Sequence, residues 1–203
     1  MEYRKIIETS FNNFLESIIH RETIKEDNIF TNIIIAGGAW EHWFKFELIS
    51  KISNCINSFS NFKYSIEPEK KFIDITISKE KNKIWNIESI IELKISGNWH
   101  IVDKQLDNII ADIDKLKNYQ LLTNNKFSLI FNTFAKPRHE IVNWIDEQIA
   151  NGLGKSDQND SLNKISNYIE NKTKLSVVSL NNKSFSNEIF EQVTLSGFLI
   201  EVK

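Results

Sequence analysis

One cysteine, Cys55, stands among 203 residues, together with 2 prolines, 6 glycines and 1 methionine. A lone thiol closes no internal disulfide and supplies no cysteine-based zinc site, which excludes the small cross-linked secreted scaffold and fits a reducing compartment. So little Pro and Gly excludes collagen-like and low-complexity chains. Long hydrophobic runs are missing too. The apolar stretch Ile29 to Ala36 is soon followed by Glu41, Lys45 and Glu47, and falls well short of the roughly 18 residues a membrane span needs. Met1-Glu2-Tyr3-Arg4-Lys5 lacks the apolar centre of a signal peptide, so the expectation is a cytoplasmic protein with no membrane partner. An excess of one charge is also absent. Lys and Arg number 25 against 27 Asp and Glu, a net charge of −2, so any polyanion must be held by a local basic face. His20, His42, His100 and His139 show no metal-ligand spacing among themselves.

What is present is globular: 41% hydrophobic, 26% charged and 11% aromatic residues. This length predicts one domain spanning 1–203. Ile6, Ile7, Phe11, Phe14, Leu15, Ile18 and Ile19 recur at helical spacing and predict a helix over about 3–21. Ile29 to Ala36 is apolar but of undecided type. Gly37-Gly38 ends it and precedes a second helix from about Ala39 to Ser58. Tyr64–Ile66, Phe72–Ser78 and Ile84–Ile95 read as strands, the last two joined by a polar turn, Lys79-Glu80-Lys81-Asn82-Lys83. A helix from about Val102 to Gln120 follows, with Leu106, Ile109, Ile110, Ile113 and Leu116 as its stripe, and then a buried strand at Phe127–Phe134. Pro137 is expected to open a helix reaching Ile149. Asn151–Asp160 is the linker candidate. A helix near Ser161–Asn171 and strands near Leu175–Leu180 and Val193–Val202 complete the chain. Helices, a meander, then alternating helix and strand predict an α/β fold, a three-layer sandwich with a central mixed β-sheet flanked by helices.

Chemistry-bearing residues concentrate in the meander. Alternation puts Ile73, Ile75 and Ile77 on one face of their strand and Asp74 on the other. On the next strand Ile91, Leu93 and Ile95 oppose Glu92 and Lys94. If the hairpin pairs so that both aliphatic ladders share a face, Asp74, Glu92 and Lys94 project together. Two carboxylates are hard ligands suited to a divalent cation, and an amine beside them can orient a water or meet developing negative charge. In the preceding helix, Glu47 lies within an apolar face of Trp40, Trp43, Phe44, Leu48 and Cys55. A carboxylate there needs a partner. Lys51, one turn on, and a cation shared with Asp74 and Glu92 are the two alternatives.

Glu47 on a helix, Asp74 on the second strand and Glu92-Leu93-Lys94 on the third, followed by a helix, resemble the PD-(D/E)XK nuclease superfamily. The likeness covers about Ala39 to Gln120, within a motif-bearing core of 39–134. Ile73 stands where the name of that superfamily has proline. The resemblance implies a restriction-endonuclease-like fold with Asp74, Glu92, the Leu93 carbonyl and Glu47 around Mg²⁺, for which Mn²⁺ would substitute. Lys94 would assist the attacking water. Lys104, Lys115 and Gln120, on or at the end of the following helix, would contact nucleic acid. The function so implied is a Mg²⁺-dependent endonuclease acting on double-stranded DNA, of restriction or phage-defence type. Because one site per protomer attacks one strand, it would act as a homodimer. The alternative is a catalytically inactive protein of the same fold that binds nucleic acid or a protein partner. A third reading takes Glu47, Glu92 and Lys94 as ordinary ion pairs of an interaction protein.

Several other features are read structurally. Cys55 is expected in the core, Trp99 at a strand end in the core, and the second Glu-x-Lys, Glu201-Val202-Lys203, on a solvated terminal strand. The role of 135–203 is left open.

Overall fold

The structure is a computed structural model and describes residues 2–23, 31–32, 40–70, 73–97, 103–119, 123, 125–138 and 158–203. Helix α1 is Tyr3–Thr23 and α2 is Trp40–Phe59. Strands β1 (Tyr64–Lys70), β2 (Ile73–Lys81) and β3 (Ile84–Gly97) form the meander. Helix α3 (Asp103–Asn118) crosses over to β4 (Lys126–Pro137), and α4 (Gln158–Thr173) precedes β5 (Val177–Ser179), β6 (Lys183–Phe185) and β7 (Phe190–Val202). The sheet is open and runs β1-β2-β3-β4-β7-β5, with β6 also on β7. Only β3 and β4 pair in parallel, through the α3 crossover, and every other pair is antiparallel.

Alternation along the central strands sorts side chains into two cores. Phe127, Leu129, Phe131 and Leu199 face α1 and α2, while Ile130, Phe198 and Ile200 face α3 and α4. The α/β layering expected from the element order is therefore present. The first core is aromatic. Phe44 stacks on Phe131 with ring centroids 4.8 Å apart, and Phe11 and Phe14 meet Phe131 edge-on. Gly197 on β7 lets α1 come this close, because a β-carbon there would sit 2.5 Å from the Phe11 ring.

Three expectations are corrected. Pro137 closes β4, paired with Phe190, and does not open a helix; a proline lacks only the N–H, which a strand end can spare. Residues 139–149 of that expected helix lie outside the described residues, as do Gly37-Gly38, Trp99, and 151–157 of the expected linker, whose last residues begin α4. The terminal strand β7 is interior to the sheet, with Glu201 exposed only at its end. The five-residue turn is in fact two residues, Asn82 and Lys83, with φ of 53° and 64°.

That shorter turn matters for register. Lys81 pairs with Ile84 and Ser78 with Ile87. Continued unchanged, this pairing would set Ile75 opposite Ile90 and split the ladders between faces. A bulge at Glu88 shifts the register by one, so Ile77 pairs with Ser89 and Ile75 with Ile91. The carbonyl freed at Glu88 accepts hydrogen bonds from Thr123 Oγ1 (2.6 Å) and Asn125 Nδ2 (2.8 Å).

Candidate functional site

Asp74 lies at a gap in the sheet. The β1–β2 ladder runs from Tyr64–Lys79 to Pro68–Ile75 and resumes at Lys70–Ile73, skipping Asp74 and Glu69 opposite it. Glu69 has a left-handed backbone, φ 56°, which non-glycine residues rarely adopt and which often marks a functional site. On the other side, the β2–β3 ladder stops at Ile75–Ile91. Alternation breaks here, and Ile73, expected beside Ile75 and Ile77, packs instead in the second core with Ile90.

Into this fork the Asp74 carboxylate inserts itself. Its Oδ2 accepts the Leu93 N–H at 2.9 Å, replacing the lost ladder partner. The acid of β2 is thereby held against the middle residue of Glu92-Leu93-Lys94. A strand residue's N–H and C=O project to the same edge, so the Leu93 carbonyl opens toward Asp74 as well.

The flanking charges are shared between two helices. From α2, the Lys45 ammonium lies 2.8 Å from Asp74 Oδ1 and also meets Glu69 Oε1. Lys45 is only 2% exposed. Burial alone would lower its pKa, but hydrogen bonds to Asp74 and Glu69 and their charges outweigh it, and the pKa is raised. From α3, Lys115 Nζ sits 2.7 Å from Glu92 Oε1. Asp112 Oδ2 is 3.3 Å from Lys94 Nζ. Glu92 is 3% exposed. Burial pushes its carboxyl up to about 7; Lys115 opposes the rise, and Asp74 and Asp112 add to it.

Glu41, in the first turn of α2, belongs to the same electrostatic cluster. Burial raises its pKa, Lys94 and Lys45 pull it down, and Asp74 and Asp112 push it up. It was not singled out from sequence. The available signal was its place one turn before Lys45, at the helix end where backbone N–H groups favour an anion.

Of the residues expected at a site, Asp74, Glu92, Leu93 and Lys94 are therefore brought together. Glu47 takes a third course: its Oε1 lies 3.2 Å from Arg21 Nη1 of α1, so its partner is neither Lys51 nor the Asp74 cluster. Two residues beyond Lys45, Glu47 falls on the opposite face of α2, and α1 lies alongside. Lys115 is committed to Glu92, whereas it was expected on nucleic acid. Lys104 is the second residue of α3, and Gln120 lies outside the described residues. Cys55 is in the core as expected, its thiol pushed up by burial. Among the described residues, no three His, Cys, Asp or Glu side chains are gathered so as to hold a metal ion by themselves.

Two carboxylates and a carbonyl can nevertheless hold Mg²⁺, which keeps several waters and shares its shell with substrate phosphate. The burial of Glu92 and its repulsion by Asp74 suit a cation at this fork. No described helix is long and apolar enough to cross a membrane. No family model, curated protein or solved structure matches this chain.

Proposed function

We propose that this chain is a Mg²⁺-dependent endonuclease that hydrolyses phosphodiester bonds in duplex DNA, acting in the cytoplasm in a restriction or phage-defence role. The observation that carries the reading is the hydrogen bond from Leu93 N–H to Asp74 Oδ2, which couples the β2 acid to Glu92-Leu93-Lys94. Asp74, Glu92 and the Leu93 carbonyl would hold the ion, with Glu41 replacing Glu47 as the carboxylate from α2. The ion, when bound, polarises a phosphoryl oxygen and acidifies a coordinated water. Lys94 donates to the water or to the charge that develops on phosphorus-bound oxygen, and Asp112 holds that amine in place. Glu92 must be ionised to act as a ligand, so binding of the ion would release its proton and be favoured as pH rises. Cutting both strands calls for two sites related by two-fold symmetry, hence a homodimer.

The second reading, a silent protein of the same fold, is favoured by one observation: Lys45 and Lys115 already neutralise Asp74 and Glu92. Supercoiled plasmid and short RNA incubated with Mg²⁺, Mn²⁺ or EDTA separate the two. The nuclease reading expects nicked plasmid with either metal, and none with EDTA, Asp74→Ala or Lys94→Ala. If plasmid stays intact under all conditions while DNA is still bound by the wild type and both variants, the silent reading stands.

A further inference from the structure

Five residues along β2 from Asp74, about 17 Å at the rise of an antiparallel strand, a separate cavity of about 450 Å³ opens at the other end of the sheet. One face of α1 forms its floor, through Lys5, Ile6 and Thr9. Phe59 and Phe62, where α2 hands over to β1, and Tyr64 and Lys79, paired across β1 and β2, form its walls.

Two properties bear on what the cavity could hold. Phe59 and Phe62 are 70% and 60% exposed, although large apolar side chains bordering a cavity would ordinarily be covered. Among the described residues, neither of the two lysines in the lining, Lys5 and Lys79, is paired with a carboxylate. Lys79 instead lies over the Phe62 ring, 3.4 Å from its centroid, and 5.8 Å from that of Tyr64. Glu2 is the one acid among the lining residues, so the cavity is electropositive by one charge.

Exposed aromatic faces accept a flat ring by stacking, and two unpaired ammoniums accept an anionic group at its edge. The volume falls within the range of small-molecule sites. We propose that this cavity is a binding site for a mononucleotide, a flat heteroaromatic ring carrying a single phosphate. The ring lies against Phe62 and Tyr64, and the phosphate meets Lys79 and Lys5. The Thr9 and Ser60 hydroxyls are left to hydrogen-bond the sugar. This site is independent of the phosphodiesterase reading.

Isothermal titration of the full chain with adenosine, guanosine, cytidine and uridine 5′-monophosphates tests it, alongside adenosine and ribose 5-phosphate. At least one monophosphate is expected to bind with a Kd below about 1 mM, and both fragments at least about tenfold more weakly. Phe62→Ala, at an exposed position, and Lys79→Met, at a half-buried one, both checked for unchanged circular dichroism, should each weaken binding by about tenfold or more. Lys94→Ala should leave it unchanged, which separates this site from the fork. The proposal is overturned if no monophosphate saturates by about 5 mM, if binding survives both substitutions, or if either fragment binds as well as the whole nucleotide.

Discussion

Glu92 and Lys45 are the two side chains on which the fork turns, and each is a buried charge with a partner. Because the folded protein keeps the Glu92 proton up to about pH 7 while an ordinary carboxyl releases it near 4.5, the folded state binds more protons in that window. Stability then falls as pH rises through it. Glu92→Gln removes this titration, so its stability relative to wild type should improve by roughly 2 kcal/mol between pH 5 and pH 8, measured by urea unfolding at both. A constant difference across that range would show that Glu92 is ionised throughout. Lys45→Met leaves Asp74 with only the Leu93 N–H and should destabilise by about 2–4 kcal/mol. Adding Asp74→Asn should recover part of the loss, because the stranded charge goes with it. Simple additivity of the two changes in a double-mutant cycle would exclude the coupling.

At the scale of elements, the β2–β3 hairpin decides whether a site exists. Asn82 and Lys83 both occupy the left-handed region, as a two-residue primed turn requires, and this is a conformation in which glycine is unstrained. Lys83→Gly should therefore stabilise the protein by about 0.5–1 kcal/mol, read as a shift of the urea midpoint at constant slope. A destabilisation would mean that the turn differs from the one described. The bulge at Glu88 then restores the parity that the short turn would have reversed, and Ile75 meets Ile91. Beyond that last pair the Asp74 carboxylate takes the Leu93 N–H.

For the molecule as a whole, a net charge of −2 and the commitment of Lys94, Lys115 and Lys117 to acids leave few cations on the α3 side for phosphate. If duplex DNA is the substrate, the dependence of log Kd on log salt should be shallow, equivalent to about 2–4 phosphates, as measured by anisotropy with Ca²⁺ in place of Mg²⁺. A slope equivalent to about eight or more would place the DNA on a basic surface elsewhere. The two faces also differ in what fills them: a cluster of phenylalanine rings under α1 and α2, mainly aliphatic chains under α3 and α4. The site forms where β2 and β3 separate, between a helix of each layer.

The amino-acid sequence by itself determined the layered α/β arrangement, helices α1 to α4 and the alternation of Ile91, Leu93 and Ile95 against Glu92 and Lys94, because hydrophobic periodicity is a local property of the chain. It also marked Asp74 and Glu92-Leu93-Lys94 as a group. Only the tertiary structure decided the rest. Partner choice for a charge depends on what packs against it from distant segments: Glu47 faces Arg21 of α1, while Glu41 and Lys45 reach the fork from another face of α2. Pro137 sits in a strand because β7 lies beside it to be paired. Register, too, is a relation between strands. The bulge at Glu88 that aligns two carboxylates leaves no mark in either strand read alone.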